Sequence, residues 1–294
     1  MFEHLSIQLI MGQLLIGLIN GSFYAMLSLG LAIIFGLMNV VNFAHGAQYM
    51  LGAFAAWFLL TTFGVSYWGA LVIAPIMVAI FGLIMERLIL RPIQHLDHLY
   101  SLLATYAAVL IIEGLMRQQF GSSGMPYAPP LRGGVNLGFM FLPWYRLWVV
   151  LFSLLVCIGT WMLIERTKLG AYLRAATEKP DIVEAFGINV PRMISLTYAF
   201  GVGLAGLSGV LAAPIYQVSP SMGSNLMIVI FAVVVIGGMG SIVGAVLTGY
   251  LIGVVEGLTK VFYPEAANLV IFVIMIIVLV LRPNGLTSGR GTST

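Results

Sequence analysis

Asn20 and Ser22 in LINGSFY, and Asn42, His45 and Gln48 in NVVNFAHGAQYM, place amide, hydroxyl and imidazole groups inside long apolar stretches. The chain has only 4 histidines, so His45, set between Ala44 and Gly46, is a conspicuous polar group. Three roles suit it: a contact to a passing substrate, a titrating switch, or a neutral group that satisfies backbone freed where a helix breaks. A switch fits less well, because no acidic residue lies beside it in sequence. We expect a neutral imidazole at a hinge near Asn42 and Gly46, one ring nitrogen donating and the other accepting. Asn20, Ser22, Asn42, His45 and Gln48 are the expected pathway or hinge residues.

Other candidate motifs carry less. GVGLAG (Gly201–Gly206) matches a dinucleotide fingerprint, but that motif needs a preceding strand, and here it lies within an apolar run. Helix packing through small residues explains it better. GLSG (Gly206–Gly209) has the form of an intramembrane serine-protease nucleophile, yet no histidine follows His98 to activate Ser208. No lysine follows a glycine, so a Walker A loop is absent and any ATP must be bound by another subunit. His95 and His98 share a loop stretch with Arg87 and Arg91, which reads as solvated surface rather than a metal site. Glu113 with Arg117, and Glu256 with Lys260, are spaced as helical ion pairs. No row of carboxylates threads the apolar runs, which argues against a proton- or sodium-coupled carrier. No catalytic residue, metal or cofactor is expected in this chain.

The elements that hold these groups must be membrane helices. Of 294 residues 61% are hydrophobic and 8% charged, against roughly 25% charged in soluble domains. The net charge of +3 is small and gives no sign of nucleic-acid binding. The single cysteine, Cys157, excludes an internal disulfide. The start, MFEHLSIQ, lacks the basic region of a signal peptide, so the first apolar run is expected to be retained.

Apolar runs fall at about 9–37, 46–63, 67–85, 99–116, 147–164, 193–215, 226–255 and 266–281. The pattern predicts an all-α, polytopic helical bundle of about eight membrane segments in one domain, 1–294. Residues 9–37 would extend roughly 43 Å as a helix, more than the hydrocarbon core of about 30 Å. Breaks are therefore expected at NGS (Asn20–Ser22) and at GGMGS (Gly237–Ser241), where protein or a wet cavity would satisfy the freed backbone. Gly249, Gly253 and Gly257 leave one helix face nearly free of side chains, which predicts close helix contact.

Charge sets the topology. Segment 165–192 carries Arg166, Lys168, Arg174, Lys179 and Arg192, which places it in the cytosol with Arg87 and Arg91. The loop with Arg117, Arg132 and Arg146 then lies outside. Within the cytosolic segment, residues 166–192, a helix ending at Lys179 is followed by Pro180, a short helix and Gly187 as its cap. Such a projecting pair of helices is a docking knob for a soluble partner.

Two stretches together, NGSFYAMLSLGLAIIFGLMNVVNFAHGAQYMLGAF and RAATEKPDIVEAFGINVPRMISLTYAFGVGLAGLSGVLAAPIYQVSPSMG, resemble the permease subunits of branched-chain amino-acid ABC importers, the Liv type. GGMGSIVGAVLTGYLIGVVEGL and LRPNGL fit the same pattern, nearly end to end. The resemblance implies an importer in the cytoplasmic membrane with two cytosolic ATPase subunits, a second and different permease, and an extracytoplasmic solute-binding protein. It also implies that Arg174–Arg192 contacts the ATPase, with Arg174, Glu178, Asp181, Glu184 and Gly187 as coupling residues. Glu184–Pro191 looks like a shortened EAA-type coupling motif. Relatives usually read AHGE where this chain has Ala44, His45, Gly46 and Ala47. Urea and amide importers share much of the pattern, and a stand-alone channel or secondary carrier is the alternative outside the family.

Overall fold

A computed structural model of the chain describes residues 7–38 and 42–287. The extreme N-terminus, on which the expectation of a retained first run rests, lies outside the described residues, as does Asn39. The described chain is almost wholly helical. Its helices are α1 (Ile7–Met38), α2 (Ala44–Phe63), α3 (Tyr67–Met85), α4 (Arg91–Ile93), α5 (His98–Phe120) and α6 (Trp144–Arg166). They continue with α7 (Lys168–Glu178), α8 (Pro180–Ala185), α9 (Val190–Ala212), α10 (Ser224–Gly237), α11 (Ile242–Phe262) and α12 (Val270–Leu281). A π-helical turn, Glu86–Leu90, joins α3 to α4. The loop after α5 holds a feature the apolar pattern did not announce, a small hairpin of β1 (Gly134–Asn136) and β2 (Phe141–Pro143) in antiparallel register, Val135 opposite Leu142.

Among the described residues, six helices are long and apolar enough to cross a membrane: α1, α3 with its extension, α5, α6, α9 and α11. α10 and α12 are shorter apolar helices. Exposed stripes on α3 (Val72, Ile76, Ile80) and α12 (Val273, Ile277, Val280) suit contact with hydrocarbon, because nothing polar interrupts them.

Local chemistry explains where the helices start and stop. Gly64 ends α2 at φ +65°, its N–H bonded to Leu60 O. Asp97 caps α5 by accepting from Leu99 N, and Asn189 caps α9 by accepting from Arg192 N, with Pro191 in the first turn.

The two expected breaks came out differently. GGMGS separates α10 from α11, with Gly238 at φ 104° and Gly240 at φ 83°, values that favour glycine. The freed carbonyls of Ile236 and Gly237 accept from Leu286 N and Thr287 N, so the C-terminal stretch satisfies the break. NGS is not a break. α1 runs through it as one helix of 32 residues, roughly 48 Å long. Gly21 is there for close packing: a Cβ on it would lie 3.0 Å from Tyr250 Cα. Ser22 Oγ donates back to Leu18 O, a bond that a helix interior accommodates.

The chain forms two compact units, Met1–Ser28 with Pro129–Ile158 and Val229–Thr294, and Leu29–Ala128 with Gly159–Ile228. In the first, α11 lies against the beginning of α1 through glycines on both helices. Cβ atoms on Gly249 and Gly253 would meet Ala25 N and Gly21 Cα at 2.5 Å. Tyr24 donates to Glu256 at 2.6 Å, and Lys260 pairs with the same carboxylate. The ion pair expected from sequence at Glu256 and Lys260 therefore forms. Ser153 of α6 donates to Ser22 O at 3.1 Å and lies 2.9 Å from Tyr250 Oη.

In the second unit, α2, α3 and α9 form the core. A Cβ on Gly52 would lie 2.6 Å from Gly206 Cα, and one on Gly206 would lie 2.9 Å from Val78 Cβ. GVGLAG is thus a packing face of α9, as its apolar setting implied. α5 packs on α2 through Phe120, whose ring stands 5.0 Å from Phe54 and 5.7 Å from Trp57.

Candidate functional site

The short stretch that leads into α2, Asn42 and Phe43, is the starting point, because its backbone groups need partners wherever water is excluded. Asn42 takes that task at the start of α2. Its Oδ1 accepts from Ala44 N at 3.1 Å, and its carbonyl accepts from His45 N at 3.2 Å. Phe43 N donates to Thr105 Oγ1 of α5 at 3.3 Å. Thr105 is two turns into α5 and Tyr198 is two turns into α9, so the stretch lies roughly 11 Å along these helices from their first residues.

The side chains of this stretch form one buried polar cluster. Asn42 Nδ2 donates to Tyr198 Oη at 3.0 Å and to Gln48 Oε1 at 3.3 Å. Gln48 Nε2 donates to Tyr198 Oη at 3.3 Å and lies 3.8 Å from Met85 Sδ. His45 is buried in the first turn of α2. A Cβ on Gly30 would lie 3.0 Å from its Cε1 and 2.7 Å from Gly201 O, so small residues on α1 and α9 make room for the ring. One residue on, a Cβ on Gly46 would lie 2.7 Å from Gly223 O, in the turn that leads into α10. The starts of α2 and α10 therefore meet at these two glycines.

Of the five expected pathway residues, His45 lies in the first turn of α2 with its ring against Gly30, and Asn42 and Gln48 share this cluster. Asn20 and Ser22 do not: they belong to α1 within the first unit. Sequence reasoning missed Tyr198, which receives both amides, and Glu86, whose Oε2 accepts from Ser195 Oγ at 2.7 Å. A tyrosine within an apolar run gives no sign of its partner, and Glu86 falls where the α3 run meets the loop with Arg87 and Arg91. Glu113 corrects another expectation. Among the described residues it forms no ion pair with Arg117; it lies on the buried face of α5 with Oε1 lacking a hydrogen-bond partner. The two groups leave the helix on different faces, Arg117 exposed and Glu113 turned inward. Ser208 is buried inside α9, and among the described residues its Oγ has no hydrogen-bond partner and no base beside it.

A cavity of about 300 Å³ between α2, α3 and α5 is lined by apolar side chains, Leu51, Met77, Phe81 and Met116 among them. It offers no group for an ammonium or carboxylate, which separates it from the polar cluster.

The second candidate region, α7 and α8, folds as the sequence implied. Gly187 follows α8 at φ 82°, and its N–H bonds to Glu184 O. Ala176, Val183 and Val190 form a small buried cluster, backed by Ile188, Met193 and Ile194. Arg174 is turned back on its own chain, 3.3 Å from Glu165 Oε2 and 3.4 Å from Ile164 O. Glu178, Asp181 and Glu184 are exposed. Beside them Phe186 is 81% exposed, and Ile182 is half exposed. Phe186 was not among the residues singled out from sequence.

Comparison with known proteins adds independent weight. The family described as "Branched-chain amino acid transport system / permease component" matches residues 13–279. The chain is 30% identical over 289 residues to the high-affinity branched-chain amino acid transport system permease protein BraD of Pseudomonas aeruginosa, covering 93% of this chain and 94% of that one. It is 27% identical over 295 residues to the corresponding permease protein LivH of Escherichia coli, covering 93% and 94%. It is also 27% identical over 289 residues to the permease protein LivM of Escherichia coli, covering 90% of this chain and 67% of that one. No solved structure matches the chain.

Proposed function

Because the chain belongs to the branched-chain amino acid transport system permease family, we propose that it is the membrane-spanning subunit of an ATP-binding-cassette importer for branched-chain or closely related small amino acids. The family match carries this reading, since it spans both the buried polar cluster and the projecting α7–α8 pair. The chain is a transport subunit without an ATPase site of its own. Two cytosolic ATPases supply the work, and an extracytoplasmic binding protein delivers the substrate to the permease in the cytoplasmic membrane. The similarity to both LivH and LivM favours a different chain as the second permease.

The chemistry of the two regions divides the labour. α8 offers Phe186 and Ile182 for burial in a groove of the ATPase, with Asp181 and Glu184 as a polar rim. Closure of the ATPases would push on α8, and through the Val183–Val190 cluster on the start of α9. At the other region, the N-terminal ends of α2 and α10 meet at Gly46 and Gly223, and their dipoles favour a carboxylate. The amides of Asn42 and Gln48 and the Tyr198 hydroxyl supply polar partners beside them. A substrate entering here would have to part their bonds to one another. His45, buried in the first turn of α2, holds the start of that helix. Import then follows as a two-state equilibrium biased by whichever partner binds one state more tightly.

The experiment that tests the substrate class is ATP hydrolysis by the assembled complex. Binding protein loaded with leucine, isoleucine or valine should stimulate it, and binding protein loaded with urea or a short amide should not. The opposite order would move the chain to the amide importers.

A further inference from the structure

Three buried contacts follow one another along the first three turns of α9. Val190, Met193 and Ile194 pack with Ala176 of α7 and Val183 of α8. Ser195 comes next and donates to Glu86 at 2.7 Å. Tyr198, one turn further on, receives Asn42 and Gln48 at 3.0 and 3.3 Å. Ser195 and Tyr198 are spaced i, i+3 and so share a face of the helix. The helix thus touches the coupling pair at its first turn, the π-helical turn after α3 at its second and the polar cluster at its third.

The middle contact is built for precision. Glu86 and Ser195 are each 2% exposed, and a carboxyl withdrawn from water is costly unless it keeps its partner. Glu86 also opens the π-helical turn Glu86–Leu90, where α3 departs from regular geometry. Such turns recur at functional positions because they aim one side chain away from the regular ladder. A helix pushed at one end shifts its far groups in a defined direction only if a point between them holds. The Glu86–Ser195 bond lies between the two on α9, after its contact with the coupling pair and before the polar cluster.

We propose that Glu86 and Ser195 are a positioning pair, the pivot through which movement of α7 and α8 is relayed to the polar cluster at Asn42, Gln48 and Tyr198. The inference rests on reading the chain as an importer permease. Without the pivot, α9 would yield to the coupling helices without parting the cluster, and ATP would be spent without import.

The test uses the complete importer, with both permeases, the ATPases and the binding protein, in liposomes, and measures leucine imported per ATP hydrolysed. Ser195→Ala and Glu86→Ala should each lower that ratio about fivefold or more, within the range of coupling between linked sites. The double variant should fall no further than either single one, because they remove one bond. Glu86→Gln, whose amide oxygen still accepts from Ser195, should restore the ratio to within about twofold. An unchanged ratio in both alanine variants overturns the proposal. So does import falling in step with hydrolysis at a constant ratio, which is plain structural damage, or a Glu86→Gln loss equal to that of Glu86→Ala. A wild-type complex that imports nothing under ATP would instead defeat the permease reading, and the pivot with it.

Discussion

Gly17 and Gly253 meet backbone to backbone: a Cβ on Gly17 would lie 2.5 Å from the carbonyl oxygen of Gly253. The glycine face of α11 is therefore used within this subunit, against α1. Gly253→Ala should already cost about 1–3 kcal/mol by forcing the helices apart, and Gly253→Leu more. Thermal unfolding in detergent measures this. Wild-type stability in Gly253→Leu would mean that the two helices do not pack as described.

Gly187 holds φ 82° after α8, a conformation that costs a β-branched residue about 1–2 kcal/mol. Gly187→Val should bend Phe186 and Glu184 away from their docked positions and weaken ATPase association about tenfold. Membrane insertion should survive. Co-purification of the ATPase measures the loss, and full recovery of the complex would count against α8 as the docking element.

From the lysine and arginine asymmetry we expect Thr177 in the cytosol and Ser122 outside. With Cys157 replaced, Ser122→Cys and Thr177→Cys should react with an impermeant maleimide from opposite sides of oriented vesicles. Labelling of both from one side would reverse or break the topology.

Much of this fold was legible because apolar runs and their punctuation are local signals. Pro180 and Gly187 marked the limits of α8, and GGMGS marked the end of α10. The failures come from signals that local sequence cannot separate. Gly21 looked like a breaker, yet in α1 it serves close contact with α11, and only the partner helix distinguishes the two uses. Asn42 and Tyr198 are separated by 156 positions and Glu86 and Ser195 by 109, so one chain read alone does not pair them. Glu113 was given to Arg117 by spacing, but the tertiary packing of α5 turned it inward.

His45 lies at the start of α2 against Gly30, a position that suits a ring held by its surroundings. His45→Gln keeps one donor and one acceptor and should retain transport within a few-fold. His45→Leu should lose it, at about 1–3 kcal/mol for each polar partner left without it. Complete loss in both variants, with folding and assembly intact, would replace the hinge by a specific imidazole role.

The central claim is that this chain forms a path whose opening is driven by ATP hydrolysed on other subunits. Leucine uptake into liposomes tests it most directly, comparing the purified chain alone with the complete complex supplied with ATP and loaded binding protein. The account predicts accumulation against a gradient in the complete complex, abolished when ATP, the ATPases or the binding protein is withheld, and no uptake by the chain alone. Concentrative uptake by the chain alone, without ATP, would contradict it and make the protein a carrier.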